Sequence, residues 1–237
     1  MAPTTQPAEM HHTHRDVSGG TLRPATFGVM DGLVSNFALV LGVVGGGASS
    51  STVVLTGLAG LVAGASSMAT GEYVSVASQS DLARAEIQVE KRELERNPED
   101  ELTELTYMFR AKGLDAELAG RVARTLSRDP DIAWRTHVRE ELGIDPDNLP
   151  SPWQAAGASF LAFSVGALLP VLPFLLGAST VLWSVVISLL GLAVAGAIVA
   201  KITARPAWFG ATRQLTLGVI SSAATFGIGL LVGSALP

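Results

Sequence analysis

The chain contains no cysteine, which excludes disulfides, zinc knuckles and iron–sulfur clusters from its 237 residues. Long stretches also lack charge. No Asp, Glu, Lys or Arg lies between Asp147 and Lys201, none follows Arg213, and Asp31 and Glu72 are the only two between Arg23 and Asp81. Period-two alternation is missing too, so no strand is expected. Residues 1–23 have no apolar h-region, so no cleaved signal peptide is expected. The net charge is −5, and that acidic excess argues against a nucleic-acid partner.

What the chain does have is a sharp sorting of charge. Charged residues make up 16% of the whole, against roughly 25% in soluble domains. Yet segment 81–147 alone holds 11 Lys+Arg and 17 Asp+Glu. A single water-soluble core does not sort charge in this way. The fold class expected is all-α: a polytopic membrane protein of five transmembrane helices with a cytoplasmic helical insert between the second and third.

A spanning helix needs about 20 apolar residues. Block 24–80 is more than twice that and is divided by Gly45-Gly46-Gly47-Ala48-Ser49-Ser50-Ser51. This predicts spans near 25–45 and 53–80. The second block divides around Gly177-Ala178-Ser179-Thr180, which predicts spans near 153–176 and 180–203, and a fifth fits 213–235. All 16 Lys+Arg then fall on one side, which the positive-inside rule makes cytoplasmic. The expected organisation is a disordered polar tail 1–23 (with His11, His12 and His14), spans 1 and 2 in 24–80, an acidic metal-binding insert 81–147, and spans 3 to 5 in 148–237. Small residues recur at Gly28 and Gly32, at Gly57, Gly60, Gly64, Ala65 and Gly71, and at Gly229 and Gly233. They suit close helix approach, either inside one bundle or between subunits.

No Gly or Pro interrupts the chain from Glu72 to Asn97, so the second span is expected to continue as one rod to about Arg96. Helical patterns follow at 98–112, 115–127 and 131–142. Glu86, Glu90 and Glu93 form one stripe on the rod, Glu101 and Glu104 lie three apart on the next helix, and His137 and Glu141 lie four apart on the last. Like charges on one helix face repel by a few tenths of a kcal/mol per pair. A solvated face balanced by Lys91, Arg92 and Arg96 is one reading, and a site for hard or borderline divalent ions is the other. A di-iron oxidase centre is not supported, because the residue three before His137 is Trp134 and the insert has no Glu-x-x-His.

Asp31 and Glu72 fall inside predicted spans. A carboxylate there costs at least about 2.5 kcal/mol, so such groups face a cavity, a partner or an ion. Both count to similar depths from the cytoplasmic ends of their helices, so the two acids are expected to meet. Met68 lies one turn from Glu72, and Ser35 and Asn36 lie one turn beyond Asp31. Carboxylates, a thioether and an amide suit Fe²⁺ or Mn²⁺ better than Mg²⁺ or Ca²⁺.

At these residues the chain resembles the vacuolar iron transporter family. The resemblance is carried by Phe27-Gly28-Val29-Met30-Asp31-Gly32-Leu33-Val34-Ser35-Asn36, by Met68-Ala69-Thr70-Gly71-Glu72-Tyr73-Val74-Ser75-Val76, by Leu149-Pro150-Ser151-Pro152, and by Phe163-Ser164-Val165-Gly166-Ala167-Leu168-Leu169-Pro170. It implies a homodimer with a path at the dimer interface. It also implies export of Fe²⁺, with Mn²⁺ a further substrate, from the cytoplasm against protons and with no prosthetic group. Asp31 and Met68 match the family's membrane metal-path positions, and Glu72 matches a characteristic acid. Glu90, Glu93, Glu101 and Glu104 match its cytoplasmic metal-binding carboxylates, and Glu141 the acid on the last insert helix. Where some members carry a Met pair, this chain has His137 and Val138. A transporter is thus expected, in the cell membrane of a prokaryote or a vacuolar-type membrane of a eukaryote. No enzymatic arrangement stands out. The rival is a membrane-anchored metal-binding or metal-sensing protein that moves no ion.

Overall fold

The computed structural model describes residues 20–235, so the histidines of the tail lie outside the described residues. It contains eight helices: α1 (Leu22–Gly45), α2 (Ser50–Arg96), α3 (Pro98–Ala111), α4 (Ala116–Leu126), α5 (Pro130–Glu140), α6 (Pro152–Leu175), α7 (Leu182–Ile202) and α8 (Ala207–Ala235). No strand occurs among the described residues. Five helices, α1, α2, α6, α7 and α8, are long and apolar enough to cross a membrane. Helices α3 to α5 make up the insert.

Local chemistry sets the boundaries. Ser49 caps α2 by accepting from the Thr52 amide, and Asp115 does the same for α4 from Leu118. Pro98, Pro130 and Pro152 occupy first-turn positions, where the missing N–H costs nothing. With no breaker before Pro98, α2 runs unbroken for 47 residues, about 70 Å. The rod expected from the sequence is therefore one helix shared by bundle and insert.

Glycine contacts fix the registers. Gly28 and Gly32 lie against the backbone of Ser159 to Ala167, and Gly166 against Val29, so α1 and α6 run parallel and nearly touching. Gly57 faces Val171 and Gly64 faces Phe163, so α2 runs antiparallel to α6. On the other flank, Gly42 and Gly46 meet Thr225, Gly229 and Gly233 of α8, while Gly196 meets Gly210 between α7 and α8. The small residues that pattern alone left open are thus mostly used inside one bundle. Gly71 is an exception, with nothing within contact of its Cβ position.

Three apolar clusters fill the bundle. Val40, Val53, Val171 and Phe174 close one end, Ala65, Phe163 and Ala167 join α2 to α6, and Leu33, Phe37 and Leu192 join α1 to α7. Asn36 ties three helices, donating from Nδ2 to the carbonyls of Gly57 (3.1 Å) and Ala167 (2.6 Å). Outward-facing side chains of α7 and α8 such as Leu190, Val194, Ile220 and Leu231 stay exposed, as suits a lipid solvent.

Candidate metal centre

The insert folds so that three helices bring two acids and a histidine to one place. Asn97 alone separates α2 from α3, and its Nδ2 donates to Glu93 Oε2 at 2.8 Å. That tight reversal sets Glu101 of α3 beside Glu90 of α2. Asp129 caps α5 by accepting from the amides of Asp131 and Ile132. The far end of α5 is held by Arg135 pairing with Asp147 and by Arg139 bonding Asp145 and Asp147, both at 2.9 Å. Lys112, just past the end of α3, pairs with Glu140. So clamped, α5 delivers His137 to the two glutamates.

His137 is 0% exposed, Glu90 7% and Glu101 8%. His137 Nδ1 lies 3.1 Å from Glu90 Oε1 and 3.4 Å from Glu101 Oε2. One donor atom from each residue falls within 4.8 Å of the others. The close atoms are not aligned to bond one another. Glu90 Oε1 and both ring nitrogens of His137 are buried without a hydrogen-bond partner. Each such orphan costs about 1–3 kcal/mol. His137 Nδ1, Glu90 Oε1 and Glu101 Oε2 crowd one point without bonding one another, and one cation there would be shared by all three, while Nε2 faces away across the ring.

Electrostatics point the same way. Burial, reinforced by Glu141, Glu101 and Glu104, pushes the Glu90 carboxyl up to about 8. Burial and then Glu104, Glu141, Glu93 and Asp100 raise Glu101. His137 is lowered by burial, against a weaker upward pull from Glu104, which favours the neutral, ligating imidazole. The cations of a balanced solvated face are occupied elsewhere: Lys91 sits over the Trp134 ring at 3.8 Å, and Arg92 donates to the Gln88 carbonyl. Among the described residues, Glu90, Glu93, Glu101, Glu104 and Glu141 make no ion pair with Lys or Arg.

The remaining insert residues surround this core at different ranges. Glu141 is exposed and close enough to raise Glu90, and Glu104 is exposed at the rim and acts on all three core groups. Glu93 is half-buried and near Glu101. Glu86 is not part of the cluster. It lines a separate groove of about 380 Å³ with Ser80, Leu142, Ile144 and Pro150, one turn nearer the bundle.

In the bundle, Met68 packs on Ala65, Phe163 and Ala167. Glu72 is half-buried with Oε2 unpartnered, and Asp31 is exposed on the surface of the single chain. Their registers differ from the expectation that they meet. Asn36 bonds Gly57 and approaches Gly60, so Asp31, five residues earlier, is level with about Gly64. Glu72 is eight residues further along α2, roughly 12 Å closer to the insert. Counting from helix ends failed because α2 has no end at the bilayer. Its helix simply continues past Asp81.

The family model of the VIT family matches residues 22–230. The chain belongs to the VIT family. A vacuolar iron transporter of Acanthamoeba castellanii is 37% identical over 95% of this chain and 84% of its own length. Vacuolar iron transporter 2 of Oryza sativa subsp. japonica is 32% identical over 94% and 92%, and vacuolar iron transporter 1 of Arabidopsis thaliana 31% identical over 95% and 92%.

For a VIT family chain, sequence reasoning reached the acids but missed what holds them. Arg135 and Arg139 lie one helical turn apart on α5, facing Asp145 and Asp147 in the exit linker, and the i, i+4 pairing was the available signal. Ser80 donates to the Pro150 carbonyl at 3.0 Å, pinning that linker to α2. Nothing in the sequence announced that bond.

Proposed function

We propose that this protein exports a divalent transition metal, Fe²⁺ with Mn²⁺ as a second substrate, from the cytoplasm in exchange for protons. The names of its relatives support iron as cargo. The observation that carries the capture step is the convergence of Glu90, Glu101 and His137 with their buried orphan atoms. Two carboxylates and an imidazole suit borderline ions and disfavour Mg²⁺ and Ca²⁺, which prefer all-oxygen sites.

The insert acts as the cytoplasmic receiver, an orientation supported by the placement of every Lys and Arg on its side. A metal ion entering there displaces the proton that an empty Glu90 carries near neutrality. Glu72 is 18 residues back along α2, about 27 Å from Glu90. From Glu72 the stations climb by single turns, to Met68 and then to the level of Asp31. Because Asp31 opens to the outside of one chain, a path between two copies places it on the route, so the transporter works as a homodimer. Carboxylates that release metal on the far side take up protons there, which couples the two flows.

The test is proteoliposome flux with an internal pH reporter. Metal-dependent proton movement in the wild type, lost in Asp31→Ala/Glu72→Ala, supports the proposal. A double variant as fast as wild type ends it. A protein that binds metal at the insert and moves none is an anchored metal-binding protein instead.

A further inference from the structure

The whole C-terminal part of the chain, residues 148–237, has no acidic residue, yet it carries Lys201, Arg205 and Arg213. All three lie where α7 hands over to α8, at the insert end of the bundle. Two of them line one cavity of about 390 Å³, with Ala200, Thr203, Phe209 and Gly210. Among the described residues neither Arg205 nor Arg213 has a carboxylate partner.

The backbone is shaped to hold them there. Helix α7 ends with the Arg205 amide bonded to the Ala200 carbonyl and the Ala204 amide to Lys201, a Schellman closure whose αL position is normally Gly. Here it is Ala204, at φ 54°. A side chain in that region is strained, and such strain turns up at functional positions. The reversal lays Arg205 across from Arg213, whose guanidinium sits 5.8 Å from the Phe209 ring. Gly210, pressed against Gly196 and Ala200, keeps α8 close enough to form the cavity floor.

Next to the cavity, Trp208 is 70% exposed and its ring lies edge-on to that of the lining residue Phe209, with centroids 6.1 Å apart. An exposed Trp at the end of an apolar band marks the headgroup level of a bilayer. We propose that Arg205 and Arg213 bind a phosphate group in this cavity, that of an anionic lipid headgroup or of free phosphate. Guanidinium forks match phosphate oxygens in pairs, and Trp208 seats the neighbouring glycerol and acyl region. This site is separate from the metal route and needs no metal.

Native mass spectrometry of the full-length protein in detergent, with phosphatidylglycerol and phosphatidylcholine at equal fractions, tests the proposal. Wild type should retain phosphatidylglycerol over phosphatidylcholine by on the order of tenfold, from two arginine contacts. Arg205→Gln/Arg213→Gln should abolish the preference. Arg23→Gln/Lys201→Gln, which removes the same charge at the same end of the bundle, should keep it. Excess inorganic phosphate that displaces the lipid and remains bound identifies free phosphate as the ligand, and persistence of the lipid identifies the headgroup. A wild type with no headgroup preference and no bound phosphate overturns the site, whatever the variants do. Equal loss in the control pair also overturns it, because diffuse charge would then be enough.

Discussion

His137 Nδ1 and Glu90 Oε1 lie 3.1 Å apart, both buried, and do not hydrogen-bond. A neutral imidazole donating to a carboxylate would align along its N–H, and these atoms aim past one another instead. Replacing either should therefore remove a ligand more than a structural bond. Glu90→Gln and His137→Ala are each expected to weaken Mn²⁺ binding at least about tenfold, since even the outer partners of metal ligands are worth that much. Glu86→Gln, in its separate groove, should bind as wild type. Calorimetric titration of the purified full chain measures all three, and equal affinities for Glu90→Gln and wild type would refute the assignment.

The same cluster makes binding depend on pH. The empty Glu90 titrates at about 8 and Glu101 is also raised, so capture below that range displaces protons. Affinity should climb between pH 6 and 8, by about tenfold per unit for each proton released, and flatten above. The metal-free fold should respond in the opposite sense. Glu90 holds a proton more tightly folded than unfolded, so its contribution is fully present below the unfolded value of 4.5 and is lost as pH rises through about 8. His137 is lowered, so its contribution is present above its unfolded value of 6.5 and is lost as pH falls below it. Between pH 6.5 and 8 the loss of the Glu90 contribution governs the trend. Melting of the metal-free protein should drop across that window, and added Mn²⁺ should reverse the drop.

Much of this was legible in the sequence, for a reason visible in particular residues. The turn glycines at 45–47, the absence of any breaker before Pro98 and the exclusion of charge from the spans are local signals, and the helices follow them closely. The insert acids were legible as stripes because helical spacing is fixed. Which two of them converge on His137 was not, because Glu90, Glu101 and His137 meet through the Asn97 reversal and the Arg135 and Arg139 clamps. The offset between Asp31 and Glu72 was hidden for a different reason. Helix register is set by Gly32 against Phe163 and Gly57 against Val171, contacts that only packing reveals.

Those glycine contacts separate two substitutions that look alike. A methyl at Gly32 would run into the Phe163 carbonyl, which is backbone and cannot swing aside, so α1 and α6 must part. Gly32→Ala should destabilise by about 1–3 kcal/mol, the usual cost of overpacking. Gly71 is exposed and its Cβ position is open, so Gly71→Ala should hold or raise stability by up to about 1 kcal/mol through helix propensity. Thermal melting in detergent measures both. A Gly71→Ala protein that melts lower would place a second chain against that position.

The offset between Asp31 and Glu72 also changes what flux experiments should show. Two acids at one depth would form a single site, where removing one leaves the other to hold a weakened ion. On the proposed route, acids whose levels differ by roughly 12 Å along α2 would act as successive stations, each passed in turn. Asp31→Asn and Glu72→Gln should therefore each cut metal flux about as severely as the double variant, with Mn²⁺ binding at the insert unchanged in all three. The insert measurement matters because it separates a blocked route from a damaged receiver. If the single variants each kept substantial flux and the double variant lost it, the two carboxylates would share one ion, and the registers fixed by Asn36 and Gly64 would not describe the conducting state.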